Sequence, residues 1–219
     1  MGAMPWLLEG SVITIVTVTV ALAMGFVLGV PLAVLQLYGP WPVRRFVGLY
    51  VWFFRGVPIL VQLFLFYFGL AYQLGLSITP FMASCLVLGL TSTAYQSQIF
   101  RGALSSIPSG QLKAAKALGM STPRAIRVIL LPQALRLAIP AWSNEFSILL
   151  KDSALVSVLG TFDLMARTKA IATSTAEYAA FYIAAAVLYF IITFIGNFLL
   201  RRIASRVQVP GLSHNQGTA

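Results

Sequence analysis

Acidic side chains are scarce in this chain of 219 residues, and histidine and cysteine are nearly absent. No Asp or Glu occurs between Glu9 and Glu145, and His214 and Cys85 are the single members of their types. One cysteine excludes an intramolecular disulfide, and one histidine near the C-terminus gives little basis for a metal site or a nucleophile–histidine pair. Since no lysine precedes Ser or Thr, a phosphate-binding loop ending in Lys-Ser/Thr is also missing. We therefore expect neither enzyme activity nor a metal site.

Apolar residues dominate what is present. Hydrophobic side chains make up 59% of the chain and charged ones 9%, and the mean hydropathy is +0.88, which is typical of polytopic membrane proteins. The sequence predicts an all-α membrane domain over residues 1–206 with about five transmembrane helices, and a disordered tail over residues 207–219. The five predicted spans are Ser11–Leu37, Ile59–Leu74, Thr79–Phe100, Ile139–Gly160 and Tyr178–Leu200.

Basic residues divide unevenly between the connections of these spans. Of the fifteen, all but Lys151, Arg167 and Lys169 fall in alternate connections, which face one side of the membrane. The positive-inside rule makes that side cytoplasmic, so we expect the N-terminus outside and the C-terminus in the cytoplasm. On a membrane chain, the net charge of +10 does not indicate nucleic acid, and part of it serves to attract anionic lipid headgroups.

A polar, basic segment over residues 108–140 interrupts the apolar pattern. Pro108 opens a short helix, Gly119 ends it, and Thr122 is the expected N-cap of a second short helix. Small residues such as Ala114 permit close approach of another protein, whereas a helix lying on lipid would carry Trp, Phe and Leu on one face. The segment predicts a helical hairpin that a protein partner contacts.

Spacing within this hairpin points to a known family. Ala114 and Ala115 are followed by Gly119, and an Ile-x-Leu-Pro sequence begins at Ile129, ten residues after that glycine. This pattern resembles the EAA loop of the permease subunits of ATP-binding-cassette (ABC) importers, with Lys113 in place of the leading glutamate. Residues 55–160 resemble in particular the permeases for polar amino acids of the histidine, glutamine, glutamate, arginine and opine type. The matching segments are Arg55–Gln62, Ala94-Tyr95, Arg101-Gly102, Leu131–Arg136 and Asn144–Ser153.

The resemblance implies that the loop of about residues 108–138 forms coupling helices that dock on a cytoplasmic ATPase. It also implies two ATPase subunits that bind ATP and Mg²⁺, a second permease subunit, identical or paralogous, and an extracytoplasmic amino-acid-binding protein. The chain itself would carry no cofactor and would lie in the bacterial cytoplasmic (inner) membrane. The ATPase-coupling residues would be Lys113, Ala114, Ala115, Gly119 and Met120.

Polar residues in the fourth predicted span favour a substrate path. Glu145 and Asp152 are seven residues apart, near one helix face, and with Asn144 they interrupt an apolar run. A free amino acid presents an ammonium group and a carboxylate, so we predict contacts from these residues and from Ser92 and Tyr95 on the third span. Two carboxylates favour a cationic or zwitterionic amino acid. The alternatives are a structural salt bridge with the neighbouring lysine and hydroxyls that bond to their own helix.

Two other function classes are compatible with such a chain. An ion-gradient-driven secondary transporter or channel subunit would use Glu145 and Asp152 as a coupling-ion site, but the short length, the missing inverted repeat and the docking hairpin weigh against it. A scaffold that transports nothing leaves the intramembrane charges unexplained. The sequence favours a permease subunit that forms a translocation path for a polar amino acid and couples it to ATP hydrolysis on partner subunits.

Overall fold

The protein is helical, and no strand occurs in the residues described, 3–71 and 73–207 of a computed structural model. The helices are α1 (Ala3–Tyr38), α2 (Trp41–Gly56), α3 (Ile59–Phe64), α4 (Pro80–Ser105), α5 (Ser109–Ala117), α6 (Thr122–Ala125), α7 (Leu131–Asp152), α8 (Leu164–Thr175) and α9 (Tyr178–Val207). Two π-helical turns, Leu65–Ala71 and Ile126–Leu130, and a 3₁₀-helix, Ser153–Leu159, continue α3, α6 and α7. The all-α prediction is confirmed. The predicted tail lies outside the described residues from position 208 onward.

Helices α1 and α4 pack along their lengths at the centre of the bundle, with α7 on α4 and α9 on α7 and α8. The close approach depends on small residues. Gly25 on α1 faces Gln96 and Ser92 of α4, and a Cβ at position 25 would collide with the Gln96 amide. Fourteen residues of α4 are buried, which makes it the central helix.

Two apolar clusters mark the ends of this bundle. At one end the last turns of α1 and α4 meet the first turns of α7 through Ala33, Leu104 and Ala134. At the other end Leu7 of α1 packs against Leu164 of α8 and against the start of α9. Helices α1 and α4 therefore run toward the first end, which we call the hairpin end because α5 and α6 connect α4 to α7 there.

Helices α2 and α3 form one bent unit. Their axes make an angle of 108° at a break formed by residues 57 and 58, and Tyr50 of α2 anchors the unit by donating to the Leu90 carbonyl of α4 at 2.6 Å. Pro58 has no N–H and disfavours helical backbone at Val57, which is extended here (φ −92°, ψ 132°), so α2 ends before the proline. The helix break therefore lies between Gly56 and Ile59.

The predicted count of five spans is not confirmed. Among the described residues, three helical stretches are long and apolar enough to cross a membrane, and the bent α2–α3 unit is a possible fourth. Helix α4, the third predicted span, has 26 residues but carries many hydroxyl and amide side chains. Because its neighbours shield it, α4 does not need the apolar surface of a lipid-facing helix. The three stretches are Met4–Tyr38, Thr122–Leu159 and Tyr178–Arg202.

The second helix of the hairpin is not short, as the sequence predicted, but is the start of a long one. From Thr122 the chain remains helical through a π-turn into α7, so Pro132 does not end the helix. In that turn the Leu131 N–H bonds to the Ile126 carbonyl, five residues back, and this wider turn accommodates the proline. Ser121, not Thr122, occupies the N-cap position, and its side chain makes no capping bond.

Helix α8 was not predicted. It begins with the Asp163 carboxylate, which accepts a hydrogen bond from the Ala166 N–H at 2.9 Å as an N-cap. Arg167 then joins α8 to α1 by a 2.6 Å ion pair with Glu9 and a 3.1 Å bond to the Trp6 carbonyl. Helix α8 therefore fixes the start of α1 at the end opposite the hairpin.

Candidate functional site

A chain of polar side chains crosses the interior of the bundle between α1, α4 and α7. The Ser92 hydroxyl donates to the Glu145 carboxylate at 3.1 Å, and the Gln96 amide donates to the Ser92 oxygen at 3.0 Å. Trp142 donates to the Gln96 oxygen at 2.7 Å, and Gln96 also donates to the Leu22 carbonyl at 3.0 Å. Each of these polar atoms has a partner, so the network holds the Glu145 carboxylate in a fixed position.

Glu145 is only 5% exposed, although it is a carboxylate within a membrane helix. Such a group is costly unless it is paired or neutralised, and these residues commonly mark a pathway. Its direct hydrogen bond comes from a neutral hydroxyl, and Arg55 and Asp152 lie within electrostatic range. The alternative of an ion pair with Lys151 is not observed, for either Glu145 or Asp152. A carboxylate held in this way is suited to an ammonium or guanidinium group.

The other predicted substrate residues surround this centre unevenly. Tyr95 is half-buried on α4, and the Arg55 guanidinium lies over its ring, 5.0 Å from the centroid. Asp152 is half-buried near the far end of α7. Asn144 is exposed, whereas the next residue, Glu145, is buried. The structure thus brings Ser92 and Glu145 together, places Tyr95 and Asp152 nearby, and leaves Asn144 on the exposed surface of α7.

The three consecutive hydroxyl residues of α4, Thr91, Ser92 and Thr93, differ from the expected back-bonding pattern. Of these three, Thr93 alone donates to a carbonyl of its own helix, that of Gly89 at 2.7 Å. Ser92 donates to Glu145, and Thr91 donates to the Gln62 side chain at 2.8 Å. Two of the three therefore connect helices.

Gln62 holds the corner between α2 and α3 and is fully buried. Its amide nitrogen donates to the Phe54 and Val57 carbonyls at 3.0 and 2.8 Å. In a continuous helix the Phe54 carbonyl would accept from residue 58, but Pro58 has no N–H to donate. Gln62 thus replaces the backbone bond that the proline removes.

The predicted coupling residues lie on α5 and the turn after it. The Gly119 N–H bonds to the Lys116 carbonyl at 2.9 Å and the Met120 N–H to the Ala115 carbonyl at 3.0 Å, with Gly119 at φ +81°. These two bonds form a Schellman motif, in which glycine takes the left-handed position most readily. The prediction that Gly119 ends the first hairpin helix is confirmed.

The coupling residues differ in exposure. Lys113, Ala114 and Gly119 are exposed, Met120 is half-buried, and Ala115 is 2% exposed and packs inward. Ala115 therefore supports the hairpin instead of presenting a contact surface. The prediction placed all five residues in one group, whereas the structure divides them between a surface and a support.

The hairpin is fastened to the bundle by paired amides. Gln111 of α5 and Gln133 of α7 each donate to the other's oxygen, at 3.1 and 2.8 Å, and Gln133 also donates to the Ile129 carbonyl at 2.8 Å. Ile107 and Ile126 belong to the apolar cluster at the hairpin end. Helix α5 is therefore connected to the same helix that carries Glu145. Sequence reasoning missed Gln111 and Trp142, because a lone polar residue in a helix does not identify its partner.

The chain matches a known family over most of its length. The model of the family described as binding-protein-dependent transport system inner membrane component covers residues 25–209. The arginine transport system permease protein ArtQ of Bacillus subtilis is 37% identical over 205 residues, which are 92% of this chain and 94% of that protein. The glutamine transport system permease protein GlnP of Escherichia coli is 34% identical over 208 residues, covering 94% and 95%.

Solved structures agree with this assignment. A crystal structure of an amino acid ABC transporter with histidines superposes with a TM-score of 0.84 at 34% identity, covering 93% of this chain and 94% of that one. An inward-facing structure of the MetNI methionine ABC transporter gives a TM-score of 0.81 at 25% identity, covering 95% and 100%. By sequence and by fold, this chain belongs to the inner-membrane permease components of binding-protein-dependent transport systems.

Proposed function

We propose that this chain is the permease subunit of an ABC importer for a polar amino acid. In this proposal it forms the path with a second permease subunit and receives the amino acid from an extracytoplasmic binding protein. Two ATPase subunits, which bind ATP and Mg²⁺, contact α5 on the cytoplasmic side. The hairpin end is then cytoplasmic and the N-terminus outside, in line with the excess of basic residues in the connections at that end.

The observation that carries this proposal is the attachment of an exposed hairpin to the helix that bears the buried carboxylate. Helix α5 projects Lys113 and Leu118 from the bundle, while Gln111 bonds to Gln133 in the first turn of α7. Glu145 lies twelve residues further along the same helix, or about 18 Å at 1.5 Å per residue. A movement of α5 is thereby passed to the Glu145 network. Neither a scaffold nor a gradient-driven carrier requires such a connection.

The carboxylates favour a substrate with a positive group. Glu145 and Asp152 would attract the ammonium of an amino acid, or a cationic side chain, and Ser92 orients the Glu145 carboxylate. Two of the relatives belong by name to arginine and glutamine transport systems, which fits a cationic or zwitterionic amino acid. Asn144 is exposed on this subunit, so it contacts substrate where the path lies between two permease subunits.

Uptake measurements in proteoliposomes test the proposal. The chain is co-expressed with the ATPase and binding-protein genes of its source, purified with whatever remains associated, and supplied with radiolabelled amino acids. We expect uptake to require ATP on the side of the membrane that the hairpin faces. Uptake should not depend on a Na⁺ or proton gradient. Uptake that follows an ion gradient without ATP would instead establish the secondary transporter.

A further inference from the structure

The exposed face of α5 combines one large apolar side chain with unpaired cations. Leu118 is 83% exposed, more than any other large hydrophobic residue in the described part of the chain. Lys113 and Ala114 lie one helical turn before Ala117 and Leu118, so all four share a face. Lys116 lies on the same helix and Arg124 on α6, the next helix of the hairpin, and both are exposed. We call these six residues the docking face.

No negative charge balances this face. Residues 101–140 contain six basic and no acidic side chains, and the nearest carboxylate along the chain is the buried Glu145. Within the described residues, Lys113, Lys116 and Arg124 make no hydrogen bond or ion pair, and the single salt bridge joins α1 to α8 instead. Unpaired, solvated cations around an apolar side chain complement an acidic surface with an apolar centre.

A protein fits this pattern better than a lipid surface. A helix that binds in a membrane interface separates its apolar and basic residues onto opposite faces, and its apolar face carries several large side chains. Here the exposed apolar residues near the lysines are two alanines and a single large side chain, Leu118, instead of a row of large apolar residues. Small residues around one large one allow a cleft to enclose the helix closely.

We propose that the docking face selects an ATPase whose cleft has an apolar floor for Leu118 and an acidic rim facing Lys113, Lys116 and Arg124. This inference rests on the proposed coupling function and specifies the chemistry of the partner surface. Lys113 is central to it, because it stands where the resemblance places a glutamate. The charge at that position is thus opposite to the family pattern, and the complementary cleft residue is acidic.

The test measures binding of the ATPase subunit to the full-length chain in nanodiscs made only of phosphatidylcholine. Three variants are compared with the unaltered protein: Leu118→Ala, the double variant Lys113→Glu/Lys116→Glu, and the matched control Arg44→Glu/Arg45→Glu. The control changes the net charge equally, through exposed residues of α2 outside the docking face. Thermal unfolding of each variant checks that the fold is retained.

We expect binding of the unaltered protein to weaken as ionic strength rises. The double variant should bind about tenfold or more weakly at low salt and lose most of this salt dependence, and Leu118→Ala should weaken binding at all salt concentrations. The control should bind normally. Reversal of an acidic rim residue of the ATPase to lysine should restore binding of the double variant.

Two outcomes would overturn the inference. One is equal binding by the double variant and the unaltered protein. The other is a charge effect that appears only when anionic lipid is added to the nanodiscs, which would assign these lysines to the membrane surface. If the unaltered chain binds no ATPase under any condition, the proposed coupling function itself fails. If it binds without regard to charge, only the acidic rim is wrong.

Discussion

At the scale of single residues, Glu145 is the side chain on which transport should depend most. Glu145→Gln keeps the volume and an oxygen that accepts from Ser92, but it removes the negative charge. A charged hydrogen bond to a ligand contributes about 1.5–3 kcal/mol, so uptake should fall roughly ten- to a hundredfold while ATP hydrolysis continues. Radiolabelled uptake and phosphate release check this. Glu177→Gln, on an exposed residue, is the control, and unchanged uptake in Glu145→Gln would remove this residue from the path.

Asp163, in the connection before α8, gives the fold a dependence on pH. Burial raises the pKa of its carboxyl to about 6, although the Ala166 N–H favours the ionised form. The ordinary value is near 3.9, so this group stabilises the fold fully below about pH 4 and loses its contribution as pH rises through about 6. Asp163→Asn keeps the N-cap acceptor and removes the titration.

Unfolding temperatures of the detergent-solubilised protein between about pH 4 and pH 7 test this. We expect the variant to vary less with pH than the unaltered protein and to be at least as stable near neutrality. A steeper pH dependence in Asp163→Asn would contradict the assignment.

At the scale of elements, the corner between α2 and α3 depends on Gln62. Gln62→Leu would leave the buried Phe54 carbonyl and the partly buried Val57 carbonyl without the amide that donates to them. An unsatisfied buried polar group costs about 1–3 kcal/mol, so the unfolding temperature should drop clearly. The control is Gln73→Leu, the same substitution at an exposed glutamine. Equal stability of the two variants would show that the corner does not need this bond.

The amide pair between α5 and α7 should set how well ATP hydrolysis is converted into transport. In Gln133→Leu the hairpin keeps its apolar contacts but loses both bonds to Gln111. We expect fewer substrate molecules carried per ATP hydrolysed, with ATPase binding retained. The control is Gln36→Leu, which removes an amide bond to Gln98 at 2.8 Å between α1 and α4. An unaltered ratio in Gln133→Leu would exclude a transmitting role.

Local chemistry determined which elements could be predicted. Gly119 ends α5 because left-handed backbone favours glycine, so this helix end could be predicted. Helix α8 is too short and too polar to resemble a span. The continuity from α6 into α7 depends on a π-turn that accommodates Pro132. No residue type predicts such a turn. The pairing of Gln111 with Gln133 exists only after the chain has folded.

At the scale of the whole molecule, the proposed orientation makes the two ends differ in access. Cys85 is buried, so in a Cys85→Ala background single cysteines can be placed at exposed Ala170 on α8 and exposed Ser121 in the hairpin. In intact spheroplasts a membrane-impermeant maleimide should label position 170 at once and position 121 only after permeabilisation. The reverse pattern would invert the topology and place the docking face on the wrong side for an ATPase.

The π-turn at Ile126–Leu130 also fixes the angular position of the hairpin about the long helix axis. Each helical residue advances by about 100°, so a chain with one residue fewer in this turn would close a regular α-helix and rotate α5 by that angle. Leu118 and the lysines would then face a different direction, although no residue of the docking face had been changed. In the proposed complex, the length of this one turn would therefore set the direction in which the docking face meets an ATPase.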